Sequence, residues 1–588
     1  MATAILAELK RRRVFRALAA YAIVAFAVLQ VIEPVIHGLH LPDWVLSFVV
    51  VALGVGLPIV LVLAWIFDLG PAGIERTDAT EASAGSRFAG RHVAVLLAAA
   101  GVAAAAPLIA WHFARAKARD GGPSSSNEVR TPAGASVAVL PFVNLSRDKD
   151  DEYFSDGITE EVINALANVE GLRVVSRTSA FAYKGKNLSV RKIGEELAVS
   201  TVLEGSVRRE GNELRIAAQL INAADGYHLW SKTYDRQMSS VFAVEDELAR
   251  SIATALRPQL LKGTAGSAPL VQQSTPSTEA HDLYLRGRQF WSKRTVDDLN
   301  RAMALFQKAL ELDPNYALAH AGIADCYVLL GEYGSQPLGG ISKARTEAYK
   351  ALELDGRLAE AHATLGLLSF YDYDWKNAEA QLKRAIELRS GYATAHHWYA
   401  LLLTVLGRFP EARAEADRAV QLDPASPAVN NMLGVVAYDS RDFGRAIEAF
   451  RKTLELEPGF LPAKGFLACA YVGAGRREDA LAQLDGFKGS SLEVLGIRAW
   501  VLADTGDKTG ATRLLKDLES RVGEQKMHPA ILAALYGRLG DKDRAFALLD
   551  TAVAERDLFV RELKVSPMWD SLRTDPRFRQ FLKRVNLD

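Results

Sequence analysis

The 588 residues carry 70 basic and 70 acidic side chains, so the chain has no net charge; that balance argues against a nucleic-acid partner, which needs an excess of lysine and arginine. The length allows about four domains, and the apolar residues, 49% of the chain, are too unevenly placed for one uniform globule. Two cysteines, Cys326 and Cys469, exclude a disulfide framework; they read as unpaired packing residues and leave the redox compartment open.

In chain order the first element is Val14 to Ile36, an apolar run that covers about 35 Å as a helix, enough for a hydrocarbon core of about 30 Å. Trp44 to Phe67 is a second run, with Trp44 and Trp65 near its ends, where aromatic rings favour the interface, and with Gly54, Gly56 and Pro58 expected to bend it. Only His37 to Asp43 separates the two, which predicts a tight membrane hairpin. Val93 to Phe113 is a third, alanine-rich run, flanked by Arg91 on one side and by Arg115, Lys117 and Arg119 on the other. Lys10, Arg11, Arg12, Arg13 and Arg16 place the N-terminus in the cytoplasm by the positive-inside rule. Three crossings then put everything after Arg115 outside the inner membrane, whereas two would leave the C-terminal domains in the cytoplasm. A cleaved signal peptide would have a shorter apolar region, about 7–15 residues, and no second run behind it. Residues 1–120 therefore read as a lipid-embedded anchor, with Glu33 at the interface near the end of the first span.

Residues 121–134 form a Gly/Pro/Ser linker, and an α/β pattern fills 135–260. Ser136 to Phe142 reads as a strand, Ile158 to Val169 as a helix with Asp156 as its cap, Leu172 to Ser176 as a second strand and Val190 to Ala198 as a helix. Strands follow at Thr201 to Arg209, Glu213 to Asn222 and Tyr227 to Asp235, with hairpin turns at Gly211-Asn212 and Asp225-Gly226. Val241 to Leu256 reads as a closing helix, and 261–277 as a second linker.

From residue 278 onward a repeat takes over. Ala344, Ala378, Ala412, Ala446 and Ala480 recur every 34 residues, and Gly366, Ala400, Gly434 and Ala468 keep the same step, while Pro314, Gly356, Pro424 and Pro458 mark repeat ends. Small residues at two fixed positions let paired helices approach, and the Pro or Gly stops the second helix. Glu332 to Ser342 holds the extra residues between Ala302 and Ala344 as a longer loop. Weaker hairpins at Leu492 to Arg521 and Pro529 to Glu555 extend the array to 555, and 556–588 reads as a terminal cap. Each hairpin packs mainly on its neighbours, so the array is expected to fold on its own.

The 34-residue pattern resembles the tetratricopeptide repeat. SVAVLPFVNLS at Ser136 to Ser146, EYFSDGITEEVINAL at Glu152 to Leu166, LRVVSRTS at Leu172 to Ser179, VLEGSVRR at Val202 to Arg209 and HLWSKTYDR at His228 to Arg236 resemble the TolB amino-terminal (FlgO-like) domain. Glu8 to Val31 and Leu41 to Leu46 resemble the membrane leader of bacterial proteins that join that domain to tetratricopeptide repeats. The fold class implied is multidomain: N-terminal transmembrane helices, a TolB-like α/β domain and an all-α tetratricopeptide solenoid, with the last two in the periplasm. Some proteins of this plan carry a cytoplasmic nucleotide-cyclase or winged-helix output domain; with only about a dozen residues before the first span, no such domain is expected in this sequence.

No catalytic constellation is present: GxSxG, HExxH and CxxC are absent, and YKGKN at Tyr183 to Asn187 lacks the GxxxxGK[ST] arrangement of a phosphate loop. The acidic run Asp148, Asp150, Asp151, Glu152, Asp156 lacks EF-hand spacing and reads as a solvated loop, and the adjacent His396 and His397 point in different directions on a helix. The chain is expected to be a non-enzymatic scaffold or sensor without cofactor or metal, binding protein or peptide partners, or else a regulatory subunit of a separate output protein or enzyme complex. The repeat family implies that first helices line the concave side. With repeats starting at Ala317, Ala359, Ala393 and Pro427, the groove positions include Asp325, Phe370, His397, Asn431 and Tyr438, a set suited to an extended peptide. A register shift of one residue would turn Phe370 and Tyr438 into ordinary core.

Overall fold

The structure, a computed structural model, describes residues 135–256, 270–271, 273–293, 295–332, 339–485, 492–521 and 528–588, together with a short ribbon at 67–70 and 73–76 and isolated helical positions before it. The apolar runs 14–36, 44–67 and 93–113 and the linker 121–134 lie outside the described residues, apart from those isolated positions and Phe67. Among the described residues no helix is long and apolar enough to cross a membrane. Within the first 128 residues, the Tyr21 hydroxyl donates to the Leu53 carbonyl, joining helical positions of the first two runs. Strands β1 (Phe67–Gly70) and β2 (Gly73–Arg76) pair antiparallel. Residues 129–588 form a separate compact unit.

That unit opens with a mixed sheet. β3 (Ser136–Val139) runs parallel between β5 (Arg173–Val174) and β6 (Thr201–Glu210), and β4 (Val143–Asn144) pairs parallel with the far end of β6. β7 (Glu213–Asn222) and β8 (His228–Gln237) extend it antiparallel. Alternation sets the inward face of β7: Leu214, Ile216, Ala218 and Leu220 are buried while Glu213 and Arg215 are exposed. The turn between β6 and β7 has Gly211 at φ 57°, a conformation that glycine adopts without a Cβ clash. Helices Glu152–Ala167 and Val241–Leu256 cover that face, and Val190–Glu196 covers part of the other.

One local expectation fails here. The helix expected from Ile158 begins at Glu152, so Asp156 is not its cap; it lies within the helix, 6% exposed, and accepts from the Lys184 ammonium at 2.5 Å. The N-cap position is Asp151, whose side chain makes no capping bond; Asp148 caps the preceding 3-10 turn, accepting from the Asp150 amide.

Eight helical hairpins follow among the described residues, from Thr278–Trp291 paired with Val296–Leu312 to Pro529–Leu539 paired with Lys542–Ala554. The small-residue series has a steric cause. A Cβ added at Gly434 would sit 2.5 Å from a ring carbon of Phe450, and one at Gly366 would sit 2.6 Å from Leu382. Each large side chain belongs to the second helix of the same hairpin and presses onto first-helix backbone. Phe306 is held from two sides in this way, by Gly287 and Gly322.

The ends of the array do not stand alone. The core of the sheet domain, with Phe154, Ile158, Val162, Leu248 and Ile252, is continuous with Tyr284, Leu285, Phe306, Tyr316 and Leu329 of the first hairpins. Helices Glu152–Ala167 and Thr278–Trp291 meet so closely that a Cβ on Gly157 would fall 2.7 Å from Leu285. The array therefore shares a core with the α/β domain, contrary to the expectation of an independent fold. At the other end, the C-terminal segment covers the last hairpin, with Phe581 stacked on Phe546 at 5.7 Å and Leu572 against Gly537.

Replacing Gly434 with leucine should lower stability by roughly 1–3 kcal/mol through overpacking, whereas Gly444→Ala, which meets nothing within 4 Å and removes a helix-destabilising glycine, should leave it unchanged or raised. Urea denaturation midpoints of the two variants check this ordering.

Candidate functional site

A stack of hairpins curves, and its first helices form a concave face. Here the chain itself packs against the array at two places. The α/β domain grips the repeat boundary at 421–425: the Ser176 amide donates to the Leu422 carbonyl at 2.7 Å, Arg173 to the Gln421 carbonyl at 3.0 Å, and Ser179 to the Asp423 carboxylate through both its amide (3.0 Å) and its hydroxyl (2.6 Å). Farther along, the C-terminal segment reaches the third hairpin. The Trp375 indole donates to the Val585 carbonyl at 2.9 Å, and the Asn586 side chain donates to the Tyr373 carbonyl at 3.1 Å. Arg556 and Arg345 both pair with Asp372, and the Arg561 guanidinium lies over the rings of Phe370 and Tyr371 at 5.3 and 4.3 Å.

Between domain and array lies a buried charged layer. Glu160, 7% exposed, pairs with Arg288 at 2.5 Å and Arg177 at 2.9 Å; burial pushes its pKa up, but the two guanidinium groups outweigh that and hold it below the ordinary carboxylate range. Glu360 is held down in the same way by Arg389, 2.6 Å away, which also donates to Asn164 at 3.3 Å. Two further acids have no such cation. Burial and the neighbouring carboxylates of Glu160 and Glu360 raise Glu161 to about 7. Glu245 is fully buried, neither of its oxygens has a hydrogen-bond partner, and burial with the Glu161 charge lifts it well above the usual range. Next to this layer, burial lowers His281 to about 4; its Nδ1 lies 3.2 Å from the Tyr316 hydroxyl. The arrangement holds two protein parts together through charge and has no nucleophile with an activating base.

The five groove candidates differ in exposure. Asp325 is 8% exposed and accepts from the Thr364 hydroxyl at 2.6 Å. Phe370, 2% exposed, packs edge-on against Trp375 at 5.4 Å beneath Arg561. Tyr438, 2% exposed, lies among Phe443 and Phe466. These three are packing or hydrogen-bonding residues here: Thr364 of the next repeat bonds to Asp325, Arg561 lies over Phe370, and neighbouring rings surround Tyr438. His397 and Asn431 are half-buried; burial lowers His397 to about 4, and the Asn431 Oδ1 has no hydrogen-bond partner. Sequence reasoning missed Glu160, Glu161, Glu245, Arg288 and Arg389. For Glu245 a signal existed, since it stands one helical turn from both Val241 and Ala249 on the buried stripe of its helix.

Residues 133–251 match the family model described as HilA/YgeH-like transcriptional regulator, second domain, where the sequence motifs had led to the expectation of a TolB amino-terminal (FlgO-like) domain. Residues 296–335 and 364–427 match tetratricopeptide-repeat models, so the array is a tetratricopeptide solenoid. The protein named Putative adenylate cyclase 3 of Rhizobium meliloti is 40% identical over 238 residues, which are 40% of this chain and 40% of that one. The type IV pilus assembly protein PilF of Pseudomonas aeruginosa is 31% identical over 30% of this chain and 71% of its own. The chain thus spans less than half the length of the cyclase-named relative. Among solved structures, Pseudomonas aeruginosa PilF aligns with 24% identity over 35% of this chain and 95% of that one, at a TM-score of 0.29. YrrB, described as a tetratricopeptide protein with an unusual peptide-binding site, aligns with 21% identity over 36% and 97%, at 0.25.

The raised acids make the layer pH-dependent. A carboxyl whose folded pKa is raised contributes stability that is complete below its unfolded value and is lost as pH rises through the folded value. For Glu161 the loss runs from about 4.5 to about 7, and for Glu245 it continues upward. Glu245→Gln should therefore melt higher than the parent at pH 8, with the difference shrinking toward pH 5, in thermal scans across that range.

Proposed function

We propose that this protein is a non-catalytic, membrane-anchored interaction scaffold, whose tetratricopeptide array recognises a protein partner while holding its own α/β domain and C-terminal segment. The observation that carries this reading is the state of the concave face. The α/β domain and the C-terminal segment each contact it in cis, while His397 and Asn431 on first helices stay half-buried, with an Asn431 carbonyl oxygen left without a partner. A buried acceptor without a donor costs free energy, which rotation of the Asn431 amide toward a partner's N–H would recover. Protein or peptide recognition is the general use of such arrays.

A regulatory role in a signalling assembly is the second reading, supported by the match of residues 133–251 to a transcriptional-regulator domain and by the cyclase name of the 40% identical relative. Under it, partner binding at the array would alter the grip of the charged layer on the α/β domain, and an output protein would read that change. The TolB-like motifs and the leader-like N-terminus favour the same plan, with lipid around the first apolar runs and the C-terminal domains in the periplasm.

Cross-linking and affinity capture from membranes test the first reading. Asn431→Ala should lose the captured partner at an unchanged melting temperature; intact capture with lowered stability would make Asn431 a packing residue and reject the site. Reporter fusions after Asp120 test the topology. Only a reporter that needs the periplasm should be active there, and activity of a cytoplasm-only reporter would overturn the placement.

A further inference from the structure

The mixed sheet has two edges, and the chain treats them differently. The β5 edge is held against the array, with Arg173 on the Gln421 carbonyl and the Ser176 amide on the Leu422 carbonyl. β8 forms the opposite edge and, among the described residues, pairs with β7 alone. Its pairing is regular from Gln237 back to Trp230, a stretch without proline or glycine. Every side chain of β8 except Trp230 and Tyr234 is exposed. The Met238 amide donates to the Asn212 carbonyl at 2.9 Å, so by ladder alternation the even-numbered residues of β8 bond to β7. Ser231, Thr233 and Asp235 therefore turn their N–H and C=O groups to the open edge. A long, straight, uncovered edge is a template for another strand. The usual deterrent, charge standing across the edge, is drawn aside here: Lys232 and Arg236 both pair with Glu247 of the covering helix, at 2.7 and 3.1 Å.

We propose that β8 pairs antiparallel with β8 of a second copy of this chain, across a two-fold axis at Thr233. The occupant follows from self-complementarity. Residues directly opposite in an antiparallel pair share a face and touch, and like charges there are destabilising, so each register can be judged by its neighbours. A centre at Lys232 sets that lysine against itself, a centre at Tyr234 sets Lys232 against Arg236, and a centre at Asp235 sets two carboxylates together. A centre at Ser231 carries the pairing into the irregularity at Leu220 and Ile221, opposite the start of β8. The register centred on Thr233 avoids all of these. On one face Ser231 meets Asp235 and Thr233 meets its own copy; on the other Lys232 meets the Tyr234 ring and Arg236 meets the Trp230 ring, two cation–aromatic pairs. The Asp235 carbonyl accepts from the exposed Arg236 guanidinium at 2.9 Å, and Arg236 would free it for the incoming strand by swinging onto the facing Trp230. This pairing needs only the sheet and is independent of partner recognition by the array.

Sedimentation velocity of the purified full chain over a range of concentrations, combined with disulfide trapping, tests this. A concentration-dependent dimer is expected. Thr233→Cys should give a disulfide-linked dimer on mild oxidation, because Cα atoms facing each other in a hydrogen-bonded pair stand about 5.5 Å apart, within bridging range. Glu195→Cys, exposed on the helix Val190–Glu196, should not, and the native Cys326 and Cys469 are buried. Ser231→Cys chains mixed with Asp235→Cys chains should form the mixed disulfide, which reads the register. Thr233→Pro removes an N–H that β7 does not use, so the melting temperature should hold while dimerisation weakens by about tenfold or more through two lost interchain bonds. If that variant fails to fold, the cysteine traps still decide. Asn431→Ala should leave the dimer unchanged, which separates this surface from the scaffold reading. A monomer at every concentration, a dimer that a folded Thr233→Pro leaves intact, or trapping at Glu195→Cys and not at Thr233→Cys would overturn the proposal. Oxidation in whole cells that links Thr233→Cys to a different protein and not to its own copy would overturn it too, by assigning the edge to another partner.

Discussion

A curved stack of helical hairpins creates a concave surface too apolar to face water, and the rest of this structure follows from how that surface is covered. Large side chains on second helices, such as Phe450 and Leu382, press against Gly434 and Gly366 and bring each pair of helices together. The regular offset this produces turns the first helices inward. Phe370, Tyr438 and Trp500 belong to one continuous buried cluster that runs along the array into the C-terminal segment, and large contiguous apolar patches are rarely left open on soluble proteins.

Two parts of the chain that differ in chemistry pack against the array. The C-terminal segment docks by aromatic and backbone contacts, with the Trp375 indole on the Val585 carbonyl and Arg561 stacked on Phe370 and Tyr371. The α/β domain docks through an apolar junction around Tyr284 and Leu285 and through the charged layer of Glu160, Arg288, Glu360 and Arg389. Buried ion pairs contribute little net stability against apolar packing but are strongly destabilising when one partner is lost. They make the domain contact specific in register and sensitive to charge.

How much of this was legible in the sequence divides along a physical line. Local periodicity marked the sheet, the closing helix and the array, because strand alternation and a 34-residue repeat are properties of consecutive residues. The placement of Asp325, Phe370, His397, Asn431 and Tyr438 on first helices was legible as well, but not that Phe370 and Tyr438 are packed inside. What packs against the array was not. The contacts of Ser179 with Asp423 and of Trp375 with Val585 join residues more than 200 positions apart, and neither motif nor spacing encodes such a pairing. The shared core of the α/β domain with the first hairpins escaped for the same reason. Asp156 shows a more local limit: a cap-like residue before an apolar run marks a helix start by pattern, but burial and the Lys184 ammonium hold it inside a longer helix.

The C-terminal segment reaches back to the third hairpin as well as capping the last one. Spin labels at the exposed positions Lys376 and Lys583 and a distance measurement by double electron–electron resonance on the full chain test it directly. A short, narrow distance distribution is predicted from the contact between Trp375 and Val585. A long or broad distribution would contradict the account.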